Sequence, residues 1–289
     1  MEIKVHRKEN FYYWLMVTIS ILFCTAMAYA ITPMYALPSD LQSIILFLVL
    51  RNVAFFVFVY IMNLGLTLFS KMFFIGHLRG NSIKLTPTQF PELFQILKSH
   101  CQKLGMSSIP DTYITQGNGI LNAFAGRIFR NNLVILNSGV VELLADNEFD
   151  IVSFIIGHEL GHIKRGHVSF KQIFIRPASV IMFPLFLAYS RACEYTCDNI
   201  GYNLCPAGAV NGILFLCAGA KLYKKVNVKE LFLSLDANSG FATRVVEFFS
   251  THPLLIKRVR ALNDLNHLNL QVDSFSFNTP KNTKFEELS

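Results

Sequence analysis

Charged residues are scarce in this 289-residue chain. Asp, Glu, Lys and Arg make up 16% of it, whereas ordinary soluble domains carry about 25%. Hydrophobic residues reach 52%, and the excess lies in the first quarter of the chain. The shortage of charge therefore indicates membrane-spanning segments, and the length leaves room for one sizeable folded domain beside them.

Two further features are missing. None of the six cysteines forms a C-x-x-C pair, so we predict no disulfide framework and a reducing compartment for the soluble part. The net charge of +7 comes without a recognisable module that reads nucleic acid, and many basic residues flank apolar segments. We therefore predict contact with a lipid bilayer and no nucleic-acid partner.

The first apolar run extends from Phe11 to Leu37, and about 20 residues are enough to span a bilayer. A cleaved signal peptide is the alternative, because Ala28-Tyr29-Ala30 resembles a cleavage site. The run is long for a signal, and a second apolar run, Leu41 to Phe69, follows at once. Both observations favour a membrane anchor made of two helices.

Basic residues indicate which way this hairpin faces. Lys4, Arg7 and Lys8 precede the first run, and Lys71 and Arg79 follow the second, whereas the short link between the runs has no cation. Because cations resist translocation, we predict that both ends of the hairpin, and the domain after it, are cytoplasmic.

The rest of the chain has the pattern of an α+β domain. Helical periodicity covers Phe90 to Leu104, and short strands are predicted at Asp111 to Thr115 and Leu133 to Leu136. Asp146 is a plausible N-cap for a long helix that runs to about Gly166.

That long helix carries an H-E-x-x-H motif. His158 and His162 are four residues apart, so they share one helix face and can reach a single Zn²⁺. Glu159 is adjacent and can take a proton from a water at the metal. The apolar residues before the motif indicate a buried helix, and buried polar groups need partners.

A third ligand has to come from elsewhere, since no histidine follows at the metzincin spacing. His167 lies five residues past His162, and we predict that it points to the surface from a different helix face. Glu194 and Asp198 are four residues apart, so one carboxylate can bind metal while the other orients a ligand histidine.

Two cysteines, Cys193 and Cys197, flank this carboxylate pair. Thiolates bind zinc well, so a second metal cluster or a redox pair is one interpretation. We prefer the other, in which both are small buried residues, because the histidines and one carboxylate already complete a catalytic ligand set.

Together these motifs resemble the HtpX and CAAX-prenyl-endopeptidase family of membrane zinc metalloproteases, over roughly residues 80 to 265. The order and spacing of the pieces carry the resemblance. They are Asn122-Ala123-Phe124, His158-Glu159-Leu160-Gly161-His162, Ser190-Arg191 with Glu194 and Asp198, and Thr251-His252-Pro253 with Arg258.

The resemblance implies one zinc ion, held by His158, His162 and Glu194, with Glu159 as the general base. Further residues receive roles in the same way. Asp198 would support a ligand histidine, and His252 would polarise the substrate carbonyl or stabilise the oxyanion. Asn122 would lie at the rim of the substrate cleft, and Arg258 would tie the C-terminal helix to the core.

The chain departs from this family in two places. Cys197 stands where the family usually has alanine. Only 31 residues (163 to 193) separate His162 from Glu194, and two membrane crossings need about 40. A single crossing would separate the two ligands, so we predict that Val180 to Tyr189 crosses nothing and is either a buried helix or an element dipping into one leaflet.

The predicted fold is thus α+β: a two-helix transmembrane hairpin (1–70), a mainly helical gluzincin-type protease domain with a small sheet (71–274), and a flexible tail (275–289). The predicted function is a membrane-anchored zinc endopeptidase. Its substrate would be a protein or peptide, membrane proteins included, laid beside an edge strand at Leu121 to Phe124 or Leu133 to Leu136. A non-catalytic anchored binding protein and a zinc hydrolase of lipids are the alternatives.

Overall fold

The structure is a computed structural model, and it describes most of the chain. The described residues are 3–29, 39–117, 123–128, 131–175, 178–179, 182–237 and 240–266. The predicted tail (275–289), Asn122 and part of the link between the two apolar runs lie outside them.

Two long helices occupy the N-terminal quarter: α1, Arg7–Tyr29, and α2, Ser39–Asn81. By length and composition, α2 is long and apolar enough to cross a membrane, and it is the one helix among the described residues that meets both criteria. Its 43 residues extend over about 65 Å, roughly twice the thickness of a hydrocarbon core. The membrane hairpin therefore remains a prediction.

The far end of α2 rests on the domain that follows. Leu78 is buried in a cluster with Tyr113, Leu133 and Ile135. Phe74 packs against Phe124, with ring centroids 6.4 Å apart. The last turns of α2 are thus part of the folded domain, and the apolar stretch before them is exposed.

The first helix also packs on that domain, along about 16 Å of its length from Glu9 to Ser20. Glu9 accepts hydrogen bonds from Arg165, Met16 is fully buried, and Ser20 accepts a hydrogen bond of 3.1 Å from the Ala178 backbone. The start of α1 is therefore anchored beside the end of the H-E-x-x-H helix.

The small sheet has four strands in the order β1-β2-β4-β3. In chain order they are β1, Ile83–Lys84, β2, Asp111–Thr115, β3, Ala123–Ile128, and β4, Asn131–Asn137. Strand β4 pairs in parallel with β2 and antiparallel with β3. The predicted strand Leu133 to Leu136 is confirmed, but it is interior, so its proposed use as a substrate-binding edge is wrong.

Strand β3 begins at Ala123 and forms one edge of this sheet. It overlaps the end of the other predicted edge segment, Leu121 to Phe124, of which the first two residues lie outside the described part.

Helix α3, Pro91–Lys103, matches the predicted helix, and Pro91 stands at its start. A short helix α4, Ser138–Val141, leads towards the motif helix α5, Phe149–Arg165. Helix α5 begins later than the predicted cap at Asp146. Asn147 has φ 59°, and this left-handed residue separates the preceding turn from α5.

Helix α5 lies at the centre of the domain, between the sheet and the later helices. The later helices are α6, Phe183–Leu204, α7, Pro206–Ala218, α8, Val228–Ala237, α9, Phe241–Phe249, and α10, Leu255–Asn266. Pro184 stands in the first turn of α6, where its missing N–H costs nothing, so it starts this helix instead of breaking it.

Candidate metal centre

Three side chains from two helices converge at one point. The Nε2 atoms of His158 and His162 on α5 are 3.2 Å apart. Glu194 on α6 places one carboxylate oxygen 3.5 Å from His158 Nε2 and the other 3.4 Å from His162 Nε2. Tetrahedral bonds of about 2.0–2.2 Å hold ligand atoms roughly 3.3–3.5 Å apart, so these donors fit a zinc ion.

Small residues let the two helices approach closely enough for this. A Cβ atom on Gly157 would lie 3.1 Å from the Cα of Gly201, and one on Gly161 would lie 3.3 Å from the Cα of Cys197. These positions alternate with the histidines along α5. The close helix contact is therefore what brings the α6 carboxylate to the α5 imidazoles.

Asp198 lies one turn after Glu194 and faces the other nitrogen of His158. Its Oδ1 accepts a hydrogen bond of 2.9 Å from His158 Nδ1. Arg258 of α10 donates to both oxygens of this carboxylate, at 2.8 and 2.6 Å. This arrangement places the Nδ1 proton towards Asp198 and leaves the Nε2 lone pair free for a metal.

Arg258 does more than the predicted attachment of the last helix. Its guanidinium also lies 3.6 Å from the Glu194 carboxylate, and the side chain is 6% exposed. One buried cation therefore contacts both carboxylates of α6, which makes Arg258 a part of the site.

The charges of this cluster favour binding of a cation. Burial lowers the pKa of His158, but the negative charges of Asp198 and Glu194 outweigh it and raise that pKa to about 10. The site therefore attracts positive charge at Nε2, where a metal ion would take the place of a proton. Burial raises the pKa of Glu194, but hydrogen bonds with His158 and His162 hold it well below its usual value. In the same way Arg258 overcomes the effect of burial and lowers the pKa of Asp198. Both carboxylates are therefore ionised.

His252 reaches the site from the loop between α9 and α10. Its Nε2 lies 3.5 Å from Glu194 Oε1, and its side chain is 65% exposed. Arg191 of α6 donates to the backbone carbonyls of Glu247, Phe248 and Ser250 at the end of α9. The arginine thereby holds the loop that carries His252 near Glu194.

His167 does not point to the surface, so that prediction is wrong. Gly166 ends α5 in a left-handed conformation with φ 72°, and the backbone N–H of His167 bonds back to the carbonyl of His162 at 2.9 Å. This turn folds the chain back along the helix. The Nδ1 atoms of His167 and His162 are then 3.1 Å apart, a contact that helical spacing alone could not show.

Both flanking cysteines are buried, as the preferred interpretation expects. Each also lies in a group close enough to hold a metal ion, Cys197 with His162 and His167 and Cys193 with Glu9 and His167, so the alternative stays open. Burial raises the pKa of both thiols, Cys193 and Cys197. Protonated thiols are poor metal ligands. Cys197 also packs closely on α5, since a Cβ on Gly161 would lie 3.3 Å from its Sγ.

Glu159 lies in the same cleft as the three candidate ligands. The cleft has a volume of about 220 Å³, and its walls include Phe124 and Ala123 of β3 as well as His252. The general-base candidate is buried beside His158. Asn122, predicted for the cleft rim, lies outside the described residues, although its neighbour Ala123 lines the cleft.

Comparisons with known proteins agree with this geometry. The model of peptidase family M48 matches residues 87–266, which hold every residue described above for the metal site. A protease HtpX homolog of Thermodesulfovibrio yellowstonii is 25% identical over 264 residues, covering 71% of this chain and 86% of that protein. Another, from Pelotomaculum thermopropionicum, is 24% identical over 250 residues and covers 71% and 87%.

No solved structure matches the chain significantly. The family match extends over more than half of the sequence and includes the H-E-x-x-H helix, the carboxylate helix and the His252 loop. The predicted resemblance is thereby confirmed: the chain belongs to peptidase family M48 and is a metallopeptidase.

Proposed function

We propose that this metallopeptidase is a membrane-anchored endopeptidase that uses one zinc ion per chain. The observation that carries the proposal is the convergence of His158, His162 and Glu194, with ligand atoms 3.2–3.5 Å apart. Two imidazoles and one carboxylate are a catalytic ligand set, since they leave a fourth position open.

Zinc, when bound, polarises the scissile carbonyl and acidifies the attacking water. The proton transfers are carried out by residues of the chain. Glu159, buried in the same cleft, accepts the proton of the attacking water and passes it to the leaving amine. Asp198 keeps His158 in the tautomer whose Nε2 is free to bind the metal.

His252 completes this arrangement from the exposed side of the cleft. Its ring lies within 3.5 Å of Glu194 and can donate a hydrogen bond to the oxyanion that forms on the substrate. Arg191 holds its loop in place through three backbone carbonyls, so we assign Arg191 a positioning role.

The substrate would lie extended along β3, which forms a wall of the cleft and an edge of the sheet. Backbone hydrogen bonds to such an edge recognise a polypeptide without strict demands on its sequence. Asn122 directly precedes β3 and is proposed for the rim of this cleft. A protein or peptide substrate suits this geometry.

Both N-terminal helices are proposed to span the membrane. The beginning of α1 and the end of α2 both contact the catalytic domain. This is expected if the chain enters the membrane with α1 and leaves it with α2 on the same side. The basic residues at the two ends favour the cytoplasmic side. Units 1–70, 71–274 and 275–289 remain our proposed division of the chain.

The first turns of α6 are proposed to dip into one leaflet without crossing it. Tyr189 shares a buried cluster with Met16 of α1, so this part of α6 lies beside a proposed membrane helix. Phe174, Met182 and Phe183 are apolar and exposed there, which suits contact with lipid. Val180 and Ile181 lie outside the described residues.

A site that opens beside the bilayer suits substrates from the membrane, so we propose a role in quality control of membrane proteins or in peptide processing. Release of new amino termini from a casein-like substrate tests the activity. We expect purified protein with zinc to release new amino termini. This release should stop when zinc is chelated and resume when zinc is restored. Zinc-loaded protein that cleaves only lipid esters, or nothing, would contradict the proposal.

A further inference from the structure

The other candidate ligand on α5, His162, makes its outer hydrogen bond to another imidazole. Its Nδ1 lies 3.1 Å from Nδ1 of His167. The Nε2 of His167 in turn lies 3.2 Å from Oε1 of Glu9 on α1. A continuous chain of polar contacts therefore runs from the metal site to the proposed membrane anchor.

The position of each proton in this series of contacts, from His162 through His167 to Glu9, follows from one requirement. For His162 to bind a metal through Nε2, its proton must sit on Nδ1, which then donates to Nδ1 of His167. That nitrogen accepts, so the proton of neutral His167 sits on Nε2 and needs an acceptor. Glu9 supplies one, and each group of the chain thus has one consistent role.

Glu9 is suited to this role by its surroundings. It is 3% exposed although it belongs to the charged first turn of α1, and a buried carboxylate is costly unless it is paired. Arg165 balances its charge with two hydrogen bonds of 3.0 and 2.8 Å to the same Oε1. The His167 side chain is 7% exposed, so little water competes for these bonds.

We propose that Glu9 is a positioning residue of the metal centre, which acts through His167 to fix the ring and tautomer of His162. The inference rests on the proposed function, since it assumes that His162 binds zinc. Asp198 does for His158 directly what Glu9 does for His162 through one intervening ring. The N-terminal helix is then a component of the enzyme's site as well as an anchor.

The helix offers a matched control. Ser20 is 5% exposed and also bonds across the interface, where it accepts from the backbone N–H of Ala178. Among the described residues no hydrogen bond joins Ser20 to Glu9, His167 or His162. Ser20→Ala therefore removes a buried polar contact of α1 and leaves the Glu9–His167–His162 chain intact.

The test is zinc affinity by chelator competition, together with the absorption spectrum of cobalt-loaded protein, on the purified full-length chain. We expect Glu9→Ala and His167→Ala each to weaken zinc binding by about 10- to 100-fold and to change the cobalt bands. The double variant should bind no more weakly than His167→Ala alone. Glu9→Gln should recover most of the affinity, because its amide oxygen accepts the same hydrogen bond.

Ser20→Ala should bind zinc within about twofold of wild type, as expected for a site outside the chain of contacts. Equal losses in Ser20→Ala and Glu9→Ala, or full additivity in the double variant, would overturn the proposal. Should Glu9→Ala not fold, His167→Ala leaves the Glu9–Arg165 pair intact, and wild-type affinity in that variant would overturn it as well. Wild-type protein that binds no zinc would instead overturn the proposed function.

Discussion

At the scale of single residues, the site consists of three candidate ligands and the side chains that hydrogen-bond to them. His158 and His162 present Nε2 to the same point, and Glu194 faces both of them. The H-E-x-x-H spacing predicts the two histidines, and the carboxylate pair predicts a third ligand at Glu194 or Asp198, because both patterns follow from one period of a helix. The choice of Glu194 came from the family resemblance. The role of each residue in the reaction remains a proposal.

The partners of these residues could be predicted only in part. Asp198 was expected to support a histidine, and the structure brings it within 2.9 Å of His158. His167 was missed because the chain reverses at Gly166, and Glu9 was missed because 156 residues separate it from Arg165. Contacts between segments that are distant in the sequence depend on tertiary packing. No periodic pattern in a single sequence reveals such contacts.

The ligand assignment predicts different results for a carboxylate and for its neighbouring thiol. Glu194→Ala should weaken zinc binding by more than the roughly 10- to 100-fold that loss of a supporting hydrogen bond costs. Cys197→Ala should retain zinc, because His158, His162 and Glu194 already supply a three-residue ligand set. Metal analysis of both purified variants checks this, and zinc loss confined to the cysteine variant would reverse the assignment.

At the scale of elements, the contact between α5 and α6 decides whether the ligands can meet. The apolar run before the motif predicted a buried α5, and the structure agrees. The sequence could not predict which face of α5 contacts which face of α6. Nothing about Gly157, Gly161 and Gly201 in the sequence alone marks them as the residues of a helix contact. Strand β3 was largely missed for a related reason: its mixed burial pattern gives no clean alternation.

This contact makes a prediction about stability. A Cβ on Gly201 would lie 3.0 Å from the Phe154 carbonyl oxygen and from its ring, so Gly201→Ala should lower the free energy of unfolding by about 1–3 kcal/mol. Gly80→Ala is the control, because nothing lies within 4 Å of its Cβ position. Thermal unfolding in detergent should show a lower midpoint for Gly201→Ala and an unchanged midpoint for Gly80→Ala. Equal midpoints in the two variants would refute the packing account.

At the scale of the whole molecule, the N-terminal helix and the catalytic domain form one unit through Glu9, Met16 and Ser20. A cleaved signal peptide would remove all three contacts. We therefore expect the mature protein to keep an N-terminal tag, which immunoblotting of membranes can detect. A mature chain that starts after residue 30 would contradict both the anchor and the role of Glu9.

The proposed topology concerns the same scale. Because His162 and Glu194 lie 3.4 Å apart, they share one side of the membrane, and the basic residues favour the cytoplasm. Reporter fusions after Lys71, after His167 and after Asp198 should all report the cytoplasm. A signal from the opposite side at any of these positions would show that the topology is wrong.

The central claim is that Glu159 performs the proton transfers of peptide hydrolysis at a metal held by other residues. The most direct measurement compares wild-type protein with Glu159→Gln in zinc content and in release of new amino termini. Because Glu159 is not a ligand in this account, the variant should hold about one zinc per chain and lose activity by at least about 100-fold. Activity close to wild type in a variant with verified zinc content would contradict the account.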